Sequence, residues 1–279
     1  MRIVSLTPSA TEILFALGLD EEVVGVSARC DTPPEVVALP RVTSGAGLRV
    51  ERILDLEPDL VVLGGEGPAE WARQVRDALE ADSADAEVLV LNPISVEGIF
   101  NAISTVGAMT EAEDAALDVV EELRERLRAV EEIVMGRRDG GFEPPRLVAL
   151  DSLDPLRAVG LWVPDQVRLA GGWELLGHEG AASAPVTWDA VAEVDPEIIA
   201  LMPDGQDLGG ALTAWMRAGE PAGWRDLHAV RAHRAYLLDG RLFSRPGPGV
   251  VDGIEALAEL IDPVAFDGMA PPDSWTPIP

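Results

Sequence analysis

Residues 50–63 read VERILDLEPDLVVL, and residues 188–201 read WDAVAEVDPEIIAL. The two stretches align without a gap: Glu51 falls on Asp189, Ile53 on Val191, and Glu57-Pro58 on Asp195-Pro196. Each reads as a short amphipathic helix that stops at a proline, because the residue before proline is pushed out of the helical region. Each then runs into four or more apolar residues, the pattern of a strand buried on both faces. Coincidence between two common α/β turns is the plain alternative; the repetition implies two units of like design.

Outward from the first copy, apolar runs at 3–6, 23–26, 60–63 and 88–91 read as strands, and 50–56, 69–81 and 96–109 as helices. Ser9-Ala10-Thr11-Glu12 has the capping-box form, predicting a helix capped by Ser9 and closed by Gly18. From the second copy the pattern resumes with strands at 147–150, 198–201 and 235–238 and helices at 165–170 and 250–261. Between the halves, residues 111–136 place Ala116, Val120, Leu123, Leu127, Val130 and Val134 at alternating steps of four and three among Glu, Asp and Arg. That predicts one amphipathic helix of about 37 Å. A polar Gly/Pro linker follows at 137–145. The expected architecture is α/β with parallel sheets: an N-terminal lobe at 1–110, an interlobe helix at 111–138, a C-terminal lobe at 139–279, and a ligand cleft between the lobes.

Acids number 49 against 21 bases, every base is Arg, and the formal charge is −28. Such a surface repels phosphate backbones and anionic membranes, which excludes nucleic acid as a partner. Self-repulsion of this size is relieved by multimolar salt, so the composition resembles that of haloarchaeal proteins; a merely acidic protein from a GC-rich genome is the bland alternative. The single cysteine, Cys30, allows no intrachain disulfide and no cysteine zinc cluster. No run of about 20 apolar residues predicts a membrane span. No leader peptide is visible, so the compartment stays open between the cytoplasm and an extracytoplasmic site with the leader missing.

Catalytic signals are thin. His228 and His233 stand five apart, off the spacing of a helical metal pair, and no GxSxG, HExxH or Walker loop occurs. Gly64-Gly65-Glu66-Gly67 has the position of a phosphate loop, but Glu66 repels phosphate and no Lys follows, so it reads as a tight turn. Trp162, Trp173 and Trp188 sit near loops, either to pack a core or to offer flat indoles to a planar ligand. Arg245 lies on a stiff loop after a strand, equally suited to an anionic ligand group and to a structural ion pair.

Six blocks in order carry a resemblance: SLTPSATEILFALG (5–18), CDTPPE (30–35), ERILDLEPDLVV (51–62), GLWVPDQVRLAGG (160–172), VTWDAVAEVDPEIIALMP (186–203) and the run from GWRDLHAVR to GIEAL (223–257). The chain resembles the cobalamin and iron-siderophore class of ABC-transporter substrate-binding proteins, most of all the cobalamin-binding branch. The resemblance implies two Rossmann-like lobes on a helical backbone, little hinge motion, no catalysis and no cofactor. It implies a ligand, cobalamin or a related corrinoid, delivered to an ABC permease dimer by a protein that does not itself span the membrane. A ferric-siderophore or haem binder is the alternative, as is an intracellular corrinoid carrier or sensor without a permease. The implied ligand-binding residues are Ser9, Arg29, Asp31, Gly45, Gly64, Trp162, Phe243 and Arg245. Arg29, Gly45 and Gly64 stand where the cobalamin binder has aromatics, which shifts stacking onto Trp162. The family's LPAVR and RPGPR read LHAVR and RPGPG here, the second ending at Gly249. Glu51 and Asp189 match the acids with which each lobe docks on the permease.

Overall fold

A computed structural model describes residues 1–44, 47–65 and 67–278 and divides the chain into two compact units. One comprises Met1–Pro93, Glu97–Glu122 and Arg245–Pro248; the other comprises Ile94–Val96, Leu123–Ser244 and Gly249–Pro279. The first half of the chain runs β1 (Ile3–Ser5), α1 (Pro8–Ala16), β2 (Val23–Val26), the short pair β3 (Thr43–Ser44) and β4 (Gly47–Leu48), α2 (Val50–Asp55), β5 (Leu60–Gly64), α3 (Ala69–Asp82), β6 (Glu87–Leu91) and α4 (Val96–Met109). Its main sheet has the order β2-β1-β5-β6, all parallel. Val4, Val61 and Leu63 of its strands, with Leu6 just after β1, pack on Trp71 and Val75 of α3.

After α5 (Glu113–Asp139) come β7 (Arg146–Leu153), β8 (Leu156–Ala158), β9 (Gly160–Leu161), α6 (Val163–Leu169), β10 (Trp173–Glu174), β11 (His178–Glu179), β12 (Ala184–Pro185), α7 (Trp188–Val194), β13 (Ile198–Leu201), α8 (Leu208–Ala218), α9 (His228–Arg231), β14 (Ala235–Leu238), α10 (Arg241–Ser244), α11 (Val250–Ile261) and β15 (Trp275–Pro277). The parallel strands β10-β7-β13-β14 repeat the order of the first sheet. The antiparallel strands β8, β12 and β15 widen this sheet to seven.

The repeat that opened the sequence survives at atomic detail. Ile53 and Val191 are both buried, and so are Pro58 and Pro196. Glu57 and Asp195 both adopt the left-handed conformation, at φ 45° and 41°. Leu60 pairs with Ile3 in one sheet, and Ile198 with Leu147 in the other. The N–H groups of Asp59 and Glu197 donate to the carbonyls of Arg2 and Arg146, each at 2.8 Å.

One local expectation needs correction. The N-cap of α1 is Thr7, not Ser9, and Pro8 occupies the first helical turn. Proline fits there because its fixed φ suits the helix and its missing N–H would have no partner. Thr7 makes no side-chain cap; its Oγ1 instead accepts the N–H of Gly64 at 2.7 Å. Among the tryptophans, Trp188 packs in the second unit's core, edge-on to Trp224 at 5.6 Å between centroids, with Trp215 tilted against the same ring at 4.8 Å. Trp173 is 62% exposed.

The long helix begins at Glu113, because Glu111 takes a positive φ and separates it from α4. The division between the units falls within it, after Glu122. Ala116, Val120, Leu123 and Val130 of the expected stripe are buried. In the second unit, Arg126 donates from Nε to Glu255 at 3.0 Å and from a terminal nitrogen to Asp252, and Arg137 reaches Asp262 at 2.6 Å. These pairs fasten α5 to α11 and to the residue that ends it.

Candidate functional site

Ligands of open parallel sheets meet the chain beyond the carboxyl ends of the strands. In the first unit those ends carry a polar cluster. The Ser5 and Thr11 hydroxyls lie 2.7 Å apart, and Thr11 donates to the Cys30 sulfur at 3.1 Å. Burial pushes the Cys30 thiol up from its ordinary range, although hydrogen bonds from Ser27 and Thr11 work the other way. A terminal nitrogen of Arg41 donates to the carbonyls of Ser27 and Cys30, at 2.9 and 2.8 Å, so the loop after β2 is braced from behind. That loop presents Asp31.

Arg245 lies across this cluster. It is 8% exposed, and its two terminal nitrogens reach Glu12 Oε1 and Asp31 Oδ1, each at 2.8 Å. Burial disfavours the guanidinium charge, yet the hydrogen bond to Glu12 and the paired charges of Glu12 and Asp31 outweigh it and raise the Arg245 pKa. Gly247 follows closely: a Cβ there would meet Glu12 Oε2 at 3.3 Å and the Ser9 carbonyl at 3.6 Å. The structure thus brings Ser9, Asp31 and Arg245 together, with Ser9 buried inside α1, and it ties Gly64 to the same edge through Thr7. Arg29 is exposed on the loop that carries Asp31. Gly45 lies outside the described residues, as does Glu66 of the Gly-rich turn.

In the second unit Trp162 precedes α6 and is 5% exposed, and its indole N–H has no hydrogen-bond partner. One turn on, the Gln166 amide donates to the carbonyls of Leu242 and Val250, tying α6 to the turn that buries Phe243. Gln166 Oε1 is likewise buried and unpartnered. Asp151 in β7, Asp204 after β13 and Asp239 after β14 make the carboxyl edge of this sheet acidic. Burial, with help from Asp204, raises the Asp151 pKa against a hydrogen bond from Ser183 at 3.1 Å. Asp239 is paired with Arg241.

Glu51 and Asp189 are exposed in the first turns of α2 and α7, the two copies of the repeat. Thr187 caps α7 by accepting from Ala190, whereas α2 has no side-chain cap.

Sequence reasoning missed Glu12, which it assigned to a capping box with Ser9. With Thr7 as N-cap, Glu12 sits a turn inside α1, where it meets an arginine 233 residues away. No local signal marks such a pair. Nor did it single out Glu174, whose carboxylate accepts from the N–H groups of Ala149, Leu176 and Gly177.

Each of the two α/β units thus has a parallel sheet with polar groups at its strand ends, and the long helix contributes residues to both. The chain belongs to the periplasmic binding protein family, whose profile matches residues 3–242. An uncharacterised ABC-transporter substrate-binding lipoprotein, YvrC, of Bacillus subtilis is 30% identical over 95% of this chain and 81% of its own. A vitamin B12-binding protein of Vibrio cholerae is 27% identical over 93% of this chain and 88% of its own. Among solved structures, a periplasmic heme-binding protein from Pseudomonas aeruginosa superposes with a TM-score of 0.77 at 25% identity, covering 94% of this chain and 93% of that one. The vitamin B12-binding protein BtuF of Vibrio cholerae gives 0.71 at 24%, covering 95% and 98%. Among the described residues no helix is long and apolar enough to cross a membrane, and no group of three or more His, Cys, Asp or Glu is placed to hold a metal ion.

Proposed function

We propose that this protein captures cobalamin or a related corrinoid and delivers it to an ABC importer. The observation that carries the reading is near-full-length similarity to vitamin B12-binding proteins, with 27% identity over 93% of the chain. The polar groups at the strand ends of the first unit, Asp31 among them, offer hydrogen bonds to a ligand with a polar periphery. Titration of the purified chain with cyanocobalamin, followed by calorimetry or absorbance, tests it. Saturable one-to-one binding supports the reading, and no binding alongside tight haemin binding overturns it. Haem is the second reading, favoured by the TM-score of 0.77 with a heme-binding protein.

Docking on a permease rests on Glu51 and Asp189. An acid in the first turn of a helix is favoured by the helix dipole alone, by about 0.3–1 kcal/mol. The docking reading further demands exposed carboxylates at both copies of the repeat, and both are exposed. Reversing both to Arg should abolish uptake in a reconstituted importer while ligand affinity and Tm stay nearly unchanged. Unaltered uptake by the double variant sinks this role.

A further inference from the structure

The terminal nitrogens of Arg245 are already occupied. One faces Glu12 and the other Asp31, and the guanidinium is almost wholly covered. An anionic group on a ligand that approached Arg245 would meet two carboxylates already in place. Glu12 keeps only 17% of its side chain exposed, so it is largely shielded from solvent. Asp31 is different: half of its side chain is exposed, so acceptor lone pairs remain open to solvent. Of the neighbouring cations, Arg41 is engaged with backbone carbonyls and Arg29 is exposed.

We infer that Glu12 and Asp31 act as a charge filter. Two carboxylates against one guanidinium leave the cluster net negative, so the site selects macrocycles with an amide periphery, whose N–H groups donate to carboxylates, over macrocycles that carry carboxylates. This deepens the proposed function and rests on it for the macrocyclic class of ligand. The pair also holds the loop after β2 to α1, but a purely structural pair would leave ligand charge preference untouched.

The test uses the full chain in 1 M KCl, where screening within roughly 3 Å removes the long-range effect of its net charge. The probes are dicyanocobinamide and dicyanocobyrinic acid, one corrin ring with an amide or a carboxylate periphery, and haemin with its dimethyl ester. The wild type should bind the amide or ester member of its preferred pair at least tenfold tighter than the carboxylate member. Asp31→Asn and Glu12→Gln should each shrink that ratio several-fold, chiefly by tightening the carboxylate member. Asp31→Asn carries the test alone if Glu12→Gln fails to fold, which its Tm reports. Equal affinity within the pair, or a ratio unchanged in Asp31→Asn, overturns the filter. Binding confined to the haem pair overturns the corrinoid reading while still reading out the filter. Binding to neither pair overturns both.

Discussion

Glu174 shows how much one side chain can carry. Its carboxylate gathers three backbone N–H groups, from Ala149 in β7 and from Leu176 and Gly177 just downstream, and so stitches β10 to the strand beside it. Burial nevertheless pushes its pKa from 4.5 up to about 7, the hydrogen bonds offsetting only part of the desolvation. A carboxyl whose folded pKa is raised gives stability that is present below its unfolded pKa and lost as pH rises through the folded one. The loss therefore spans the interval from 4.5 to about 7 and levels off above it. Between pH ~5 and ~8 the wild type should lose on the order of 1–3 kcal/mol relative to Glu174→Gln, which does not titrate. Thermal melts of both proteins across that range check it, and parallel curves would refute the assignment.

At the scale of elements, α5 is the clearest case of sequence dictating structure. Nothing between Glu113 and the buried Val130 breaks a helix, and the stripe from Ala116 to Val130 finds the interior as its spacing requires. Leu123→Pro removes a hydrogen bond and inserts a clash at a buried position, and should cost about 3 kcal/mol or more in a denaturant titration. Arg126→Gln strands Asp252 and the buried Glu255 of α11 together; with the arginine a third exposed, a loss of about 1–3 kcal/mol is expected. The repeat was legible for the same reason as α5: apolar periodicity and a proline stop are local signals, and residues 50–63 and 188–201 carry them twice. The start of α1 was misread because the S-x-x-E pattern competes with a proline one residue earlier, and the proline prevailed. Strands β8 and β15 escaped because they are three residues each and owe their existence to antiparallel neighbours. The site was legible only in part. Arg245 stood out by its loop and Asp31 only through the family resemblance, but the pairing of Arg245 with Glu12 spans nearly the whole chain and leaves no trace in spacing.

For the whole molecule, charge is the dominant fact. With a formal charge of −28 and no lysine, carboxylates outnumber arginines by 49 to 21, and the excess repels itself. We propose that the fold is adapted to multimolar salt. Its Tm should then climb steadily from dilute buffer into molar KCl, and a Tm indifferent to salt would leave base composition as the source of the acidity. The acids proposed above to dock on a permease belong to the same trade. Salt strong enough to steady the fold weakens exposed ion pairs, so the drop in uptake on reversing Glu51 and Asp189 should be largest where their carboxylates become covered on docking.

The burial of Cys30 has a practical side. Cys30 is 1% exposed, its sulfur is held by Thr11 and Ser27, and burial raises the pKa of its thiol, so maleimides should leave the folded protein untouched. A variant with Glu51→Cys and Asp189→Cys then takes spin labels or fluorophores at those two positions alone. The distance between the labels, followed as ligand is added, measures directly whether the two units move when the site fills.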